Sequence, residues 1–227
     1  FVNMPGSMMT RMSDYPFMAN AGPEMCVMST KIFTAQIAWG YLLAKSSAGK
    51  YQLGVKQLQH TAKAIDIYLK KTTTHSAIRR IARKLLPARD IFLLGKSQNL
   101  QIVMEGMVKI IEGTYKHAHA IPAGDLKHYA ITIIEKGVPV IVVLSNDTAN
   151  NDVLNAASQV KARGATVIGI APNIHPQFDQ FLSVPDLGET SGLINVIPLQ
   201  LLAYYMTVLL GLNVDKPRNI AKSVTVK

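Results

Sequence analysis

Residues 138–144 read VPVIVVL and decide the fold. The run is apolar throughout and mostly β-branched, with no polar residue alternating into it. A strand of that kind is buried on both faces, which a parallel sheet covered by helices requires and a half-wet antiparallel sheet does not. Working outward, residues 90–94 (DIFLL) and 166–170 (TVIGI) read as further buried strands, and 117–121 as a shorter one. Helical spacing fills the intervals at 102–113 and at 150–163, the second ending at Gly164. Buried strands alternating with helices predict the α/β class, as a three-layer sandwich with a mostly parallel sheet.

Composition agrees with a large packed core. Of 227 residues, 48% are hydrophobic and 17% charged, which excludes a disordered chain. The single cysteine, Cys26, excludes an internal disulfide framework, points to a reducing, cytoplasmic setting, and reads as a small apolar residue rather than a nucleophile. The net charge of +10 is concentrated before the α/β region, where eleven Lys/Arg but only one acid, Asp66, lie between Lys45 and Arg89. These charges interleave with Val55, Leu58, Ile65, Leu69, Ile78, Ile81 and Leu85 at helical spacing, the pattern of amphipathic helices with wet basic faces. No aromatic platform accompanies them, so a nucleic-acid partner is not expected, whereas an anionic sugar phosphate would suit the surface.

The ends of the chain read differently. Residues 32–44 form an apolar stretch of helical length, and residues 46–50 (SSAGK) read as a linker. Residues 190–214 carry no charge, but Asn195, Pro198 and Gln200 interrupt them. Pro198 suits the first turn of a helix and Gly211 with Asn213 its end, so a helix buried within the protein is expected rather than a membrane span. The amino terminus lacks the unbroken apolar run of a signal peptide.

Chemistry concentrates in residues 104–130, MEGMVKIIEGTYKHAHAIPAGDLKHYA. As a helix, its Glu105, Lys109 and Glu112 fall at i, i+4 and i+7 and share one face. Acid, amine and imidazole together can move protons on and off carbon, although glutamate four residues before lysine is also an ordinary solvated ion pair. His117 and His119 are spaced like a metal pair on one strand face with His128 as a third ligand, but a polar strand face accounts for them equally, and no metal is expected. Gly95-Lys96-Ser97 follows a strand and opens a helix as a phosphate loop would. The glycine that such a loop needs at position 90 is Asp90, so only weak anion binding at the helix start remains.

Several stretches resemble one family. Residues 104–128 are similar to the second sugar-isomerase (SIS) domain of the glutamine–fructose-6-phosphate aminotransferases. The tail 215–226 (DKPRNIAKSVTV) resembles that family's ending. Asn20-Ala21-Gly22-Pro23-Glu24 with Val27-Met28-Ser29-Thr30-Lys31 resembles the close of its first SIS domain, and 196–204 (VIPLQLLAY) is similar too. The matches are collinear over nearly the whole chain. The resemblance implies that residues 1–45 end a first SIS domain and 46–87 are a linker with the basic helices. It makes 88–214 the second SIS domain and 215–227 a C-terminal tail.

The same resemblance implies a function. Glutamine-derived ammonia and fructose 6-phosphate would give glucosamine 6-phosphate, without cofactor. Glu112 falls on the proton-transfer glutamate, Lys222 on the imine-forming lysine, and Lys109 on the accessory lysine beside the glutamate. His128 falls on the ring-opening histidine that the neighbouring subunit donates, so a homodimer is implied. Val27, Ser29 and Ala221 match substrate-binding positions, and Glu105 is read as a structural partner of Lys109. His119 stands where the family usually carries glutamate, and Tyr129-Ala130 replace a usual Gly-Pro. The family's Ser/Thr-rich phosphate loop and its glutaminase domain are missing from these residues, so the chain is expected to be the C-terminal part of a longer polypeptide, inactive alone. The competing expectations are a non-catalytic phosphosugar-binding SIS module and a deglycase-type relative.

Overall fold

A computed structural model describes residues 1–222, so the tail residues 223–226 that figure in the resemblance lie outside the described residues. The chain forms two compact units, Thr61–Val214 and Phe1–His60 with the segment from Asp215 onward.

The larger unit is built on five parallel strands: β1 (Asp90–Gly95), β2 (His117–Pro122), β3 (Pro139–Val143), β4 (Thr166–Ala171) and β5 (Gln180–Ser183), ordered β2-β1-β3-β4-β5. Asp90 pairs with His117, Phe92 with Val140, Val140 with Val167, and Ile170 with Leu182. Every residue of β3 is buried, as its sequence demands. Phe92, Leu94, Val140, Val142 and Val167 turn to one face, where they pack on Val153, Ala156, Ala157 and Val160 of helix α6 (Asn150–Lys161) and on Leu126, Ala130 and Ile134 of two 3-10 turns. Ile91, Leu93, Ile141 and Ile168 alternate to the other face, which carries α4 (Thr72–Leu85), α5 (Gln98–Thr114) and α7 (Ser191–Leu209). The three-layer expectation holds, with a sheet that is wholly parallel.

β5 escaped the sequence reading because QFLS at the sheet edge is short and only Leu182 is buried. The basic helices are as expected: α4 buries Ile78, Ile81, Ala82 and Leu85 and exposes Arg79, Arg80, Arg83 and Lys84. On α3 (Tyr51–Lys70), however, the buried aromatic Tyr68 takes the place expected for Leu69, which is 40% exposed. Burial pushes the Tyr68 phenol well above its ordinary pKa.

α7 corrects the placing of Pro198. The helix begins at Ser191, so Pro198 lies inside it and not in its first turn. Asn195 does not interrupt the helix because its amide is satisfied: it donates to Asn99 Oδ1 (2.9 Å) and Ser145 Oγ (3.0 Å), and Asn99 donates to the same Ser145 oxygen (2.9 Å). This buried trio joins the start of α5, the end of β3 and α7. At the far end, Gly211 at φ 69° closes α7, its N–H bonding Val208 O while Leu212 N–H reaches Thr207 O. The helix is long and apolar enough to cross a membrane, but 67% of that stretch is buried within the protein, which marks a core helix.

α5 lies directly against α7. A Cβ at Gly106 would stand 2.6 Å from Leu199 Cδ1 and 3.1 Å from its Cβ, so the approach needs glycine.

The smaller unit contains α2 (Thr30–Ser47) and the first half of α3. The 46–50 stretch read as a linker is the last two residues of α2 and a tight turn, in which Gly49 N–H bonds Ser46 O and Lys50 N–H bonds Lys45 O. A short helix, α1 (Met8–Met12), precedes it, and Phe1 and Phe17 pack on Trp39 of α2 at ring distances of 5.3 and 5.9 Å.

Substituting Gly106→Val forces α5 off α7 and is expected to lower unfolding free energy by about 1–3 kcal/mol in urea titration. Gly124→Ala, with open space around its Cβ, serves as the control and should change it by less than about 0.5 kcal/mol.

Candidate active site

Two clusters of chemistry-bearing side chains stand in the two units. In the larger unit, α5 carries Glu105, Lys109 and Glu112 on one face, as the spacing predicts. Lys109 Nζ lies 3.3 Å from Glu105 Oε1 and 3.0 Å from Glu112 Oε2. The solvated ion pair offered as the plain alternative is corrected here, because the Lys109 side chain is only 5% exposed and Glu105 12%. An ammonium withdrawn from water in this way needs carboxylate partners, and its own helix supplies them. Glu112 is the most open of the three at 26%, so its carboxylate is both held by a buried cation and reachable from outside.

In the smaller unit, Lys222 is not a loose tail lysine. Its Nζ donates to Glu24 Oε2 (3.0 Å), Cys26 O (2.9 Å) and Ser29 Oγ (2.6 Å). Ser29 sits in the left-handed region at φ 56° directly before α2, and its hydroxyl donates to Val27 O (3.0 Å). Val27 in turn anchors the returning chain, its N–H bonding Asp215 O (3.2 Å). Ala221 is exposed beside Lys222. Lys222 of the C-terminal segment is thus brought against the loop that carries Val27 and Ser29. Glu24 was missed as a site residue: it precedes α2 by six positions, too far for a capping-box pattern, although its Oε1 accepts from Lys31 N–H (2.8 Å) and Ile32 N–H (3.3 Å).

His128 stands apart from the Lys109 cluster. It ends a 3-10 turn, Leu126–His128, in which Leu126 is buried while Lys127 and His128 are exposed, and its own N–H bonds Asp125 O (3.0 Å). Tyr129 follows it, and the Tyr129 ring lies 6.0 Å from that of His119, so two departures from the family pattern touch each other. The rings of His117 and His119 lie 6.4 Å apart, edge to face, and His117 also has a carboxylate partner. The His117 Nδ1 lies 2.7 Å from Asp90 Oδ1, across the β1–β2 pairing at the amino ends of the strands. Lys96 of the Gly95-Lys96-Ser97 turn is likewise engaged, in an ion pair with Asp152 of α6.

The SIS domain family pattern matches residues 84–210. The chain is 38% identical to a glutamine–fructose-6-phosphate aminotransferase (isomerizing) of Pyrococcus horikoshii, over 100% of this chain and 38% of that protein. It is 37% identical to the protein of the same description from Streptococcus pneumoniae, over 99% of this chain and 38% of that protein. Among solved structures it is similar to the C-terminal domain of glucosamine-fructose-6-phosphate aminotransferase from Francisella tularensis, with a TM-score of 0.83, 28% identity, and 95% of this chain and 63% of that one covered. The fold is also that of a glucosamine-6-phosphate deaminase from Thermotoga maritima, at a TM-score of 0.75 and 21% identity over 96% of this chain and 63% of that one. The chain spans 38% of the length of these sequence relatives.

Lys109→Met leaves two carboxylates facing each other without a cation and is expected to cost about 3–5 kcal/mol of stability in urea unfolding. Glu112→Gln, which leaves the Glu105 partner in place, should cost about 1 kcal/mol. Equal losses from the two variants would contradict the assignment of Lys109 as the buried charge.

Proposed function

The chain belongs to the SIS-domain family and is related to the glutamine–fructose-6-phosphate aminotransferases, and from that premise we propose that it is the isomerase part of an enzyme making glucosamine 6-phosphate from fructose 6-phosphate and glutamine-derived ammonia. The glutaminase and the phosphate-binding part of the first SIS domain would lie in the remainder of the polypeptide, since the relatives are much longer than this chain. In this reading residues 1–45 end that first domain, 46–87 lead into the second, 88–214 form the second, and 215–227 are the C-terminal tail. The fragment alone would be inactive.

In this reading an imidazole like His128, contributed by a second copy of the chain, moves the proton that opens the furanose ring. Its exposed position suits donation to a neighbour. The Lys222 amine then attacks the C2 ketone and expels water, giving an imine, and ammonia displaces the lysine from that carbon. Glu112 takes a proton from C1 and returns it to C2, which converts the ketose imine to the 2-amino aldose. Lys109 holds the Glu112 carboxylate in one orientation through the 3.0 Å contact. Val27, Ser29 and Ala221 contact the sugar.

The observation that carries the proposal is the engagement of Lys222. A tail lysine ordinarily points freely into water, yet this amino group is held by three acceptors on the loop that opens α2. A binding module that only senses a phosphosugar has no need of an oriented amine.

Borohydride reduction of the full-length protein with fructose 6-phosphate, followed by peptide mapping, is expected to label Lys222. Label elsewhere, with glucosamine 6-phosphate synthesis intact, would contradict the assignment.

A further inference from the structure

The acceptors around Lys222 match the demand of an ammonium group. Such a group has three donors and no acceptor, and here each donor has one oxygen. Cys26 O and Ser29 Oγ are neutral groups of the loop itself. Glu24 is the charged member, its side chain 7% exposed, and its two oxygens have different duties. Oε2 takes the lysine, while Oε1 takes the N–H groups of Lys31 and Ile32 in the first turn of α2.

That second duty is unusual in origin. Ser29 occupies the position from which a serine normally caps its helix, but it makes no side-chain cap bond to α2. Its hydroxyl is spent instead between Val27 O and Lys222. Capping passes to Glu24, which fixes that carboxylate against the positive end of an 18-residue helix.

We propose that Glu24 is a positioning residue for Lys222: anchored by the first turn of α2, it sets where the amino group stands before attack. The inference rests on the reading of Lys222 as the imine-forming lysine. The two duties of Glu24 separate chemically. Glu24→Gln keeps a carbonyl oxygen for Lys31 and Ile32, but turns an NH₂ group toward the ammonium and removes the charge.

The test is the rate of borohydride-trapped label at Lys222 as a function of fructose 6-phosphate, measured in the full-length protein. With Glu24→Gln the rate at saturating sugar is expected to fall about tenfold or more, as displacement of a reacting group does. The half-saturating concentration should stay within about twofold, because the substitution acts on the amine and not on sugar binding. Glu24→Asp restores the charge with a shorter reach and should recover part of the rate. A Glu24→Gln protein that traps at the wild-type rate, or one in which only the half-saturating concentration changes, would overturn the proposal. So would a Glu24→Asp protein no faster than Glu24→Gln. If the unmodified protein labels at a different residue, the reading of Lys222 itself falls, an outcome distinct from either.

Discussion

A parallel sheet with no wet face constrains everything built on it. β1 and β3 bury side chains to both sides, so helices must cover both, and α5 is held between the sheet and α7. Full burial of each Ile, Leu or Val is worth about 1.5–3 kcal/mol, which outweighs the few tenths per residue that helix propensity contributes. The sheet therefore decides where α5 lies, and Gly106 decides how closely it approaches α7. A charged face on such a helix cannot stay solvated. Lys109 is consequently paired inside its own helix, and Glu112 inherits a fixed orientation from that pairing.

The two lysines show two ways of holding an ammonium group. Lys109 is nearly buried and answers with two carboxylates, an arrangement that is structural first and constrains a neighbour second. Lys222 is 38% exposed and answers with one carboxylate, one carbonyl and one hydroxyl. A group held in that way is oriented but not sealed, which is what the proposed nucleophilic role requires. The left-handed backbone at Ser29 fits the same account, since non-glycine residues in that region persist where the surroundings impose them, and such positions cluster at functional sites.

Much of this was legible in the sequence, and the reasons are specific. VPVIVVL has one physical reading, and the i, i+4, i+7 spacing of Glu105, Lys109 and Glu112 needs only a helix to bring them together. Burial of that face was not legible, because spacing places the three side chains on one side of a helix without saying whether that side meets water. Pro198 was misplaced for a similar reason: Asn195 looked like an interruption until its partners Asn99 and Ser145 appeared. β5 offers too little apolar sequence to be seen. Glu24 was hidden because a carboxylate reaching α2 from outside the capping position leaves no local pattern. For Lys222 the sequence supplied a family resemblance, and the contacts at Glu24, Cys26 and Ser29 were beyond it.

The central claim is a division of labour: an amine that binds carbon and a carboxylate that moves hydrogen. It is tested most directly by solvent hydrogen exchange in the full-length protein carrying Glu112→Gln. In deuterated water, mass spectrometry of recovered sugar phosphate should show that exchange at the sugar C1 position is lost, while covalent capture of the same sugar at Lys222 persists. Undiminished exchange at C1 in the Glu112→Gln protein would contradict the account.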